Sequence, residues 1–258
     1  MGSSSLSQST DLQTLVAYLN QFLRVSEIPD PGAMNGLQVE AAGPIKRIAA
    51  AVDACQATID AAADSHADLL VVHHGMFWGD AQPVTDRQHR RLKRLFENDI
   101  ALYSAHIPLD CHPQVGNNAV LAARLGVGNT DQFGDYHGTA IGLMGTLVQS
   151  RDTLMSRLTE ILGSTPHLIP GGPSAIQKVG VVTGGAGSMI GQAREAGIDT
   201  FITGEGNHHS HFDAEEWGIN VIYGGHYATE TFGVKALAAH IEAKFGIPWE
   251  FVDHPTGL

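Results

Sequence analysis

Apolar residues recur along this chain with two alternating periods. Near the start, Leu12, Leu15, Val16, Leu19, Phe22 and Leu23 keep the i, i+3, i+4 spacing of an amphipathic helix. That spacing predicts a helix over 11–23, capped by Thr10 or Asp11. A turn-rich stretch through Asn35-Gly36 and Gly43-Pro44 follows. Short apolar runs then predict strands at 47–52, 69–72 and 100–104, interleaved with helices at 55–65, 87–98 and 117–125. The second half repeats the theme. Strands are predicted at 139–148, 178–183, 200–203, 220–223 and 249–252, and helices at 153–162, 188–196, 210–217 and 229–245. Such alternation predicts α/β layers with helices on the sheet faces.

The two halves also resemble each other. An offset of 131 pairs Ile59 with Ile190, Ala62 with Ala193, Asp68 with Asp199, Val71 with Ile202 and Gly75 with Gly206. Further on, an offset of 120 pairs Leu102 with Ile222, Tyr103 with Tyr223, His106 with His226 and Asp110 with Glu230. Each half thus offers a strand, then His-x-x-x-acid, then a helix. Internal duplication is the expectation, although apolar strands look alike and some matches arise by chance.

Composition narrows the function. The 258 residues are 43% apolar, enough for a packed core in one large domain or two small ones. A formal charge of -12 argues against nucleic-acid binding as the main task, because phosphate binding needs clustered cations. The one basic run holds Arg87, Arg90, Arg91, Lys93 and Arg94, and reads as the wet face of a helix before it reads as an anion patch. No apolar stretch approaches the ~20 residues of a membrane helix. The Ser-rich residues 1–10 carry no apolar signal core, so a flexible tail and a cytoplasmic location are expected. Cys55 and Cys111 form no C-x-x-C pair and read as small core residues.

Histidine changes the picture. There are 14, against 15 Lys and Arg together, and eight of them cluster at His73-His74, at His106 and His112, and from His208 to His226. In Val71-Val72-His73-His74-Gly75 an apolar strand runs into two His and a Gly. Neighbours in a strand face opposite ways, so the pair can converge only where the strand ends, and Gly75 would permit the turn. The plain alternative is two hydrogen-bonded structural His; the pairing favours metal. In Ser104-Ala105-His106-Ile107-Pro108-Leu109-Asp110, Pro108 predicts a loop that can aim His106 and Asp110 inward, against a helix-capping role for the Asp. In Gly224-Gly225-His226-Tyr227-Ala228-Thr229-Glu230, the Gly pair lets the chain bend. Glu230 could instead serve only the N-terminus of the next helix. These segments supply imidazoles and carboxylates in a number that suits two ions better than one. Mixed N/O ligation with no thiolate suits Zn, Fe, Mn or Ni. His208, His209 and His211 read as an exposed loop, and Gly184-Gly185-Ala186-Gly187 as a tight turn without a phosphate-binding pattern.

The residues resemble the Nif-three-like dinuclear metal-centre family, also named for type 2 GTP cyclohydrolase I. The resemblance covers Leu12 to Val252 and rests on Asn35-Gly36-Leu37-Gln38-Val39, Val72-His73-His74-Gly75, His106-Ile107-Pro108-Leu109-Asp110, Gly116-Asn117-Asn118, Thr203-Gly204-Glu205 and Gly225-His226-Tyr227-Ala228-Thr229-Glu230. It implies two similar, intertwined α/β domains with mixed sheets flanked by helices, divided as 11–128 and 129–258. The short span from Thr130 to Ser174 implies the form without an inserted domain. It further implies two divalent metal ions on His73, His74, Asp110, His226 and Glu230, with His106 either supporting those ligands from behind or carrying a proton beside them. A ring-shaped homohexamer and a small-molecule substrate of the nucleotide class complete the expectation. The reaction implied is hydrolytic: a metal-held hydroxide attacks a purine and formate leaves. The alternative is a non-enzymatic, metal-binding regulatory or metal-handling oligomer.

Overall fold

The computed structural model describes residues 9–258. In chain order the elements are α1 (Leu12–Phe22), β1 (Gly36–Val39), β2 (Ile48–Asp53), α2 (Gln56–Asp64), β3 (Leu69–His74), α3 (Asp86–Glu97), β4 (Ala101–Ser104) and a helical turn α4 (Ile107–Asp110). Then come α5 (Asn117–Leu125), β5 (Gly128–Tyr136), β6 (Thr139–Ser150), α6 (Arg151–Leu162), β7 (His167–Pro170) and β8 (Ala175–Val182). The chain closes with α7 (Ile190–Glu195), β9 (Thr200–Thr203), α8 (Ser210–Trp217), β10 (Asn220–Tyr223), α9 (His226–Phe245) and β11 (Trp249–Phe251). No helix among the described residues is long and apolar enough to cross a membrane.

Contacts divide the chain into two compact units: residues up to Leu109 with Val234–His254, and Asp110–Gly233 with Pro255–Leu258. This division differs from 11–128 and 129–258, because β11 at the end of the chain pairs in parallel with β2 near its start. The expected tail at 1–10 also shortens. Residues 1–8 lie outside the described residues, and Thr10 already bridges to Ile45.

The first unit holds a five-stranded sheet in the order β1-β4-β3-β2-β11. Strands β11, β2, β3 and β4 run parallel, and β1 closes the edge antiparallel to β4. The strands are near-continuous apolar runs because they are buried throughout, as parallel strands usually are. Ile59 and Ala62 of α2 and Leu92 and Leu95 of α3 join Ala49, Ala51, Leu70 and Val72 of the sheet in one core. The second unit holds a six-stranded sheet in the order β5-β6-β8-β9-β10-β7. Its parallel centre, β8-β9-β10, is flanked by antiparallel β6 and β7.

The duplication is visible in hydrogen bonds. Asp68 accepts the backbone amides of Lys46 and Arg47, and Asp199 accepts those of Gln177 and Lys178, each set displaced by the same 131 positions. Beyond that the pairing corrects the sequence match. Leu69 registers with Ala101 and Thr200 with Asn220, so β4 and β10 correspond at an offset of 119 and the strand matches at 120 slip by one residue.

Pro108 does not force a loop. It sits in the first turn of α4, where its missing N–H has no helical partner to lose. Strands β1, β5 and β7 carry too few apolar residues to have been predicted; β5, for instance, is mostly exposed.

Candidate metal centre

In the first unit, three imidazoles meet. His73 and His74 are the last two residues of β3, inside the strand and not beyond it. Their rings nevertheless approach to 4.7 Å, and both reach the ring of His106, which follows β4, at 5.0 and 5.5 Å. One nitrogen from each of the three lies within 4.8 Å of the others, a group that could hold a metal ion. Gly75 is needed for close approach, not for a turn. A side chain there would overlap the Gln38 carboxamide, whose oxygen accepts the Met76 amide at 2.8 Å.

Each ring is oriented from behind through Nδ1. In His73, Nδ1 meets the Ala105 carbonyl at 2.9 Å. In His74 it meets Asp53 Oδ1 at 2.8 Å, and in His106 it meets Asp30 Oδ2 at 3.1 Å. An oxygen acceptor at Nδ1 places the proton there and makes Nε2 the basic nitrogen of the ring, the usual arrangement of imidazole behind a metal. Asp30 is itself well held. Burial pushes its carboxyl up, but hydrogen bonds from His106 and Asn35, the charge of His106 and the Ile107 amide outweigh burial and hold it below the ordinary carboxylate value.

In the second unit, α9 begins at His226, three residues earlier than the spacing predicts, because Gly225 turns the chain at φ +92°. His226 and Glu230 therefore share one helix face, with Nε2 3.2 Å from Glu230 Oε2. His226 Nδ1 meets Glu205 Oε1 at 2.9 Å. Its hydrogen bond to Glu230 raises the imidazole pKa; burial opposes this, and the charge of Glu230 and the bond to Glu205 add to it, giving about 9. Glu230 is buried, and Gly184, at φ +70°, leaves the room its carboxylate occupies.

Asp110 is buried and fixed by Asn117, whose Nδ2 donates to Oδ1 at 2.8 Å. The Asn117 oxygen accepts the Gly233 amide of α9 at 2.6 Å, so one side chain ties Asp110 to the helix that carries His226 and Glu230. Asn118 does similar work, donating to the Ile141 carbonyl and accepting the Thr183 amide, each at 2.7 Å. The sequence marked Gly116-Asn117-Asn118 and Thr203-Gly204-Glu205 without giving them a role, and it missed Asp30 and Asp53. Each of these is one ordinary carboxylate in a loop or at a strand end. His208 and His209 are exposed in the turn before α8, whereas His211, expected in the same loop, is exposed in the first turn of the helix.

The two mixed sheets, with histidines at strand ends and buried carboxylates on or near α9, define an α/β protein bearing His/Glu groups that could hold a metal ion. The chain belongs to the Duf34/NIF3 (NGG1p interacting factor 3) family, whose model matches residues 10–256. Among curated relatives, one of Deinococcus radiodurans is 46% identical over 95% of this chain and 93% of its own length, and one of Halobacterium salinarum is 42% identical over 96% and 100%. Both are named GTP cyclohydrolase 1 type 2 homolog. Among solved structures, TTHA1606 from Thermus thermophilus is similar at TM-score 0.88 and 42% identity, over 96% of this chain and all of that one. Reduced HcgD from Methanocaldococcus jannaschii is similar at TM-score 0.86 and 26% identity, over 95% and 99%. The expected α/β fold and family are thereby borne out.

Proposed function

We propose that this protein is a metal-dependent hydrolase that opens a purine nucleotide with release of formate, like the activity its relatives are named for. Its centre takes two divalent ions on His73, His74, Asp110, His226 and Glu230. The observation that carries the reading is the imidazole trio of the first unit, in which one nitrogen from each ring lies within 4.8 Å of the others and every Nδ1 faces an oxygen acceptor. The donors fit the group. Neutral imidazoles and carboxylates suit Zn, Fe, Mn or Ni. Such ions, when bound, supply Lewis acidity and lower the pKa of a water toward neutrality.

The chain's own residues do the rest. Asp53 orients His74 and Asn117 orients Asp110. His106, backed by Asp30, holds a proton on Nδ1 and can accept or return another at Nε2 as the ring opens. The family resemblance supports a cytoplasmic homohexamer acting on a small molecule.

The test is elemental analysis of untagged protein followed by formate assay with GTP. About two ions per chain and formate release abolished by chelation and restored by metal are the expected results. Metal-free protein refutes the centre. Two ions per chain with no turnover of any purine nucleotide refutes the hydrolase and supports a metal-handling oligomer.

A further inference from the structure

Beside His74 the first unit opens into a cleft of about 1030 Å³, lined among others by Phe77, Trp78, Arg87, Gln88 and Arg91. That volume accommodates a ligand of nucleotide size. Two features of its lining have no use in the metal centre.

The first is a pair of cations. Arg87 and Arg91 stand four residues apart on α3 and so present to one side of the helix. The other cations of α3 have carboxylate partners: Arg90 with Asp86, Lys93 with Glu97, and Arg94 with Asp60 and Asp64. Arg87 and Arg91 have no such partner among the described residues, and Arg91 Nε is buried without a hydrogen-bond acceptor. A guanidinium nitrogen kept from water is costly unless an acceptor arrives to meet it. Of the carboxylates that line the same cleft, Asp86 pairs with Arg90 and Asp53 with His74, which leaves Asp80 alone against the two arginines, and in a chain of net charge -12 that local balance marks a place for an anion.

The second is a fixed aromatic wall. Trp78 is 42% exposed, an unusual state for an indole. It is nonetheless held in place. Its Nε1 donates to the Gly75 carbonyl at 2.8 Å, and the next amide, of Gly79, donates to the Gly32 carbonyl at 2.6 Å. Its ring also packs edge-on against His106 at 5.0 Å. A rigid indole at the mouth of a cleft offers a stacking surface at little entropic cost.

We propose that this cleft binds a nucleoside phosphate, with the base against Trp78 and Phe77 and the phosphates on Arg87 and Arg91. Guanidinium forks match phosphate oxygens, and planar bases stack on indole. The assignment rests on the hydrolase reading for the role of His74 and adds to it the residues that hold the base and the phosphates of the nucleotide.

Calorimetry on the as-purified protein tests it, with GTP and guanosine as probes and formate assayed separately. The native chain should bind GTP at least about tenfold tighter than guanosine, as charge-assisted contacts imply. The double variant Arg87→Gln/Arg91→Gln should lose that advantage, keep its guanosine affinity and keep its metal. Arg90→Gln, which removes the same kind of charge from the same helix, should change nothing. Trp78→Leu should weaken both ligands. GTP binding no tighter than guanosine, or an Arg90→Gln loss as large as that of the double variant, overturns the proposal. Lost GTP binding in the double variant with no formate from the native chain would sink the hydrolase and spare the subsite. Formate release with unchanged GTP affinity in the double variant would do the reverse.

Discussion

Asn117 makes two hydrogen bonds that cannot both survive its removal. It is completely buried, its Nδ2 faces the Asp110 carboxylate at 2.8 Å, and its Oδ1 faces the Gly233 amide at 2.6 Å. Asn117→Ala strips a bond to a charged acceptor, about 1.5–3 kcal/mol, and strands a buried amide, about 1–3 kcal/mol. The deleted carboxamide leaves space for a water to replace part of this, so the lower half of each range applies and the sum is about 3 kcal/mol. At this chain length each kcal/mol moves Tm by roughly 2–4 °C, which predicts a fall of about 6–12 °C. Because Asp110 is left to rotate, metal affinity should also fall by about 10–100-fold. Asn117→Asp sharpens the test. It keeps an acceptor for Gly233 but turns the donor that faces Asp110 into a second carboxylate. In metal-free protein at pH 8 it should be less stable than the alanine variant, and it should recover on acidification as the two carboxyls come to share a proton. Differential scanning calorimetry with metal titration reads both quantities. An alanine variant that melts within a degree of the native chain and binds metal equally well would refute the reasoning. So would an aspartate variant more stable than alanine at pH 8.

Other expectations follow from neighbouring residues. Asp110→Ala should sharply reduce metal content measured by plasma spectrometry, whereas His209→Ala, on an exposed loop, should leave it intact; equal content in both would exclude Asp110 as a ligand. Gly184→Ala forces a side chain into the left-handed region at φ +70° and into the Glu230 carboxylate. It should cost roughly 1–2 kcal/mol in backbone strain and lower metal affinity through Glu230, both visible in one metal-dependent melting series. For His226, the metal-free imidazole has its pKa raised from 6.5 to about 9, so it is protonated at pH 7. Ligation needs the neutral ring, so binding should release close to one proton from it, and apparent affinity should climb about tenfold per pH unit until about 9. Titration calorimetry in two buffers of different ionisation enthalpy counts that proton. The same shift has the opposite sign for the metal-free fold: the stabilising contribution of charged His226 is full below 6.5 and is lost as pH rises through about 9.

What the sequence showed and what it hid separate along a physical line. The central strands were readable because burial on both faces makes them continuous apolar runs, and β9 and β10 fall at the predicted 200–203 and 220–223. Edge strands β1 and β7 and the exposed β5 were not, since a half-wet strand of mixed composition carries no such run. At the candidate centre the imidazoles announced themselves, because His73-His74, His106 and His226 follow apolar runs in a chain whose histidines nearly equal its Lys and Arg. Their supports did not: Asp30, Asp53, Asn117 and Glu205 gain meaning only from a contact partner elsewhere along the chain. Duplication shows why the distinction matters. Asp68 and Asp199 keep the same pair of backbone amides, a structural bond that both units need. At the ends of the equivalent strands β3 and β9 the copies differ, His73-His74 in one and Thr203-Gly204-Glu205 in the other. A helix-end histidine with a buried carboxylate one turn on, His226 and Glu230, appears only after β10, while β4 leads into a short turn carrying His106 and Asp110. The scaffold bonds were retained in duplicate while the groups at the strand ends diverged. That is the pattern expected when duplicated units keep the bonds each needs in order to fold and change the side chains that neither fold requires.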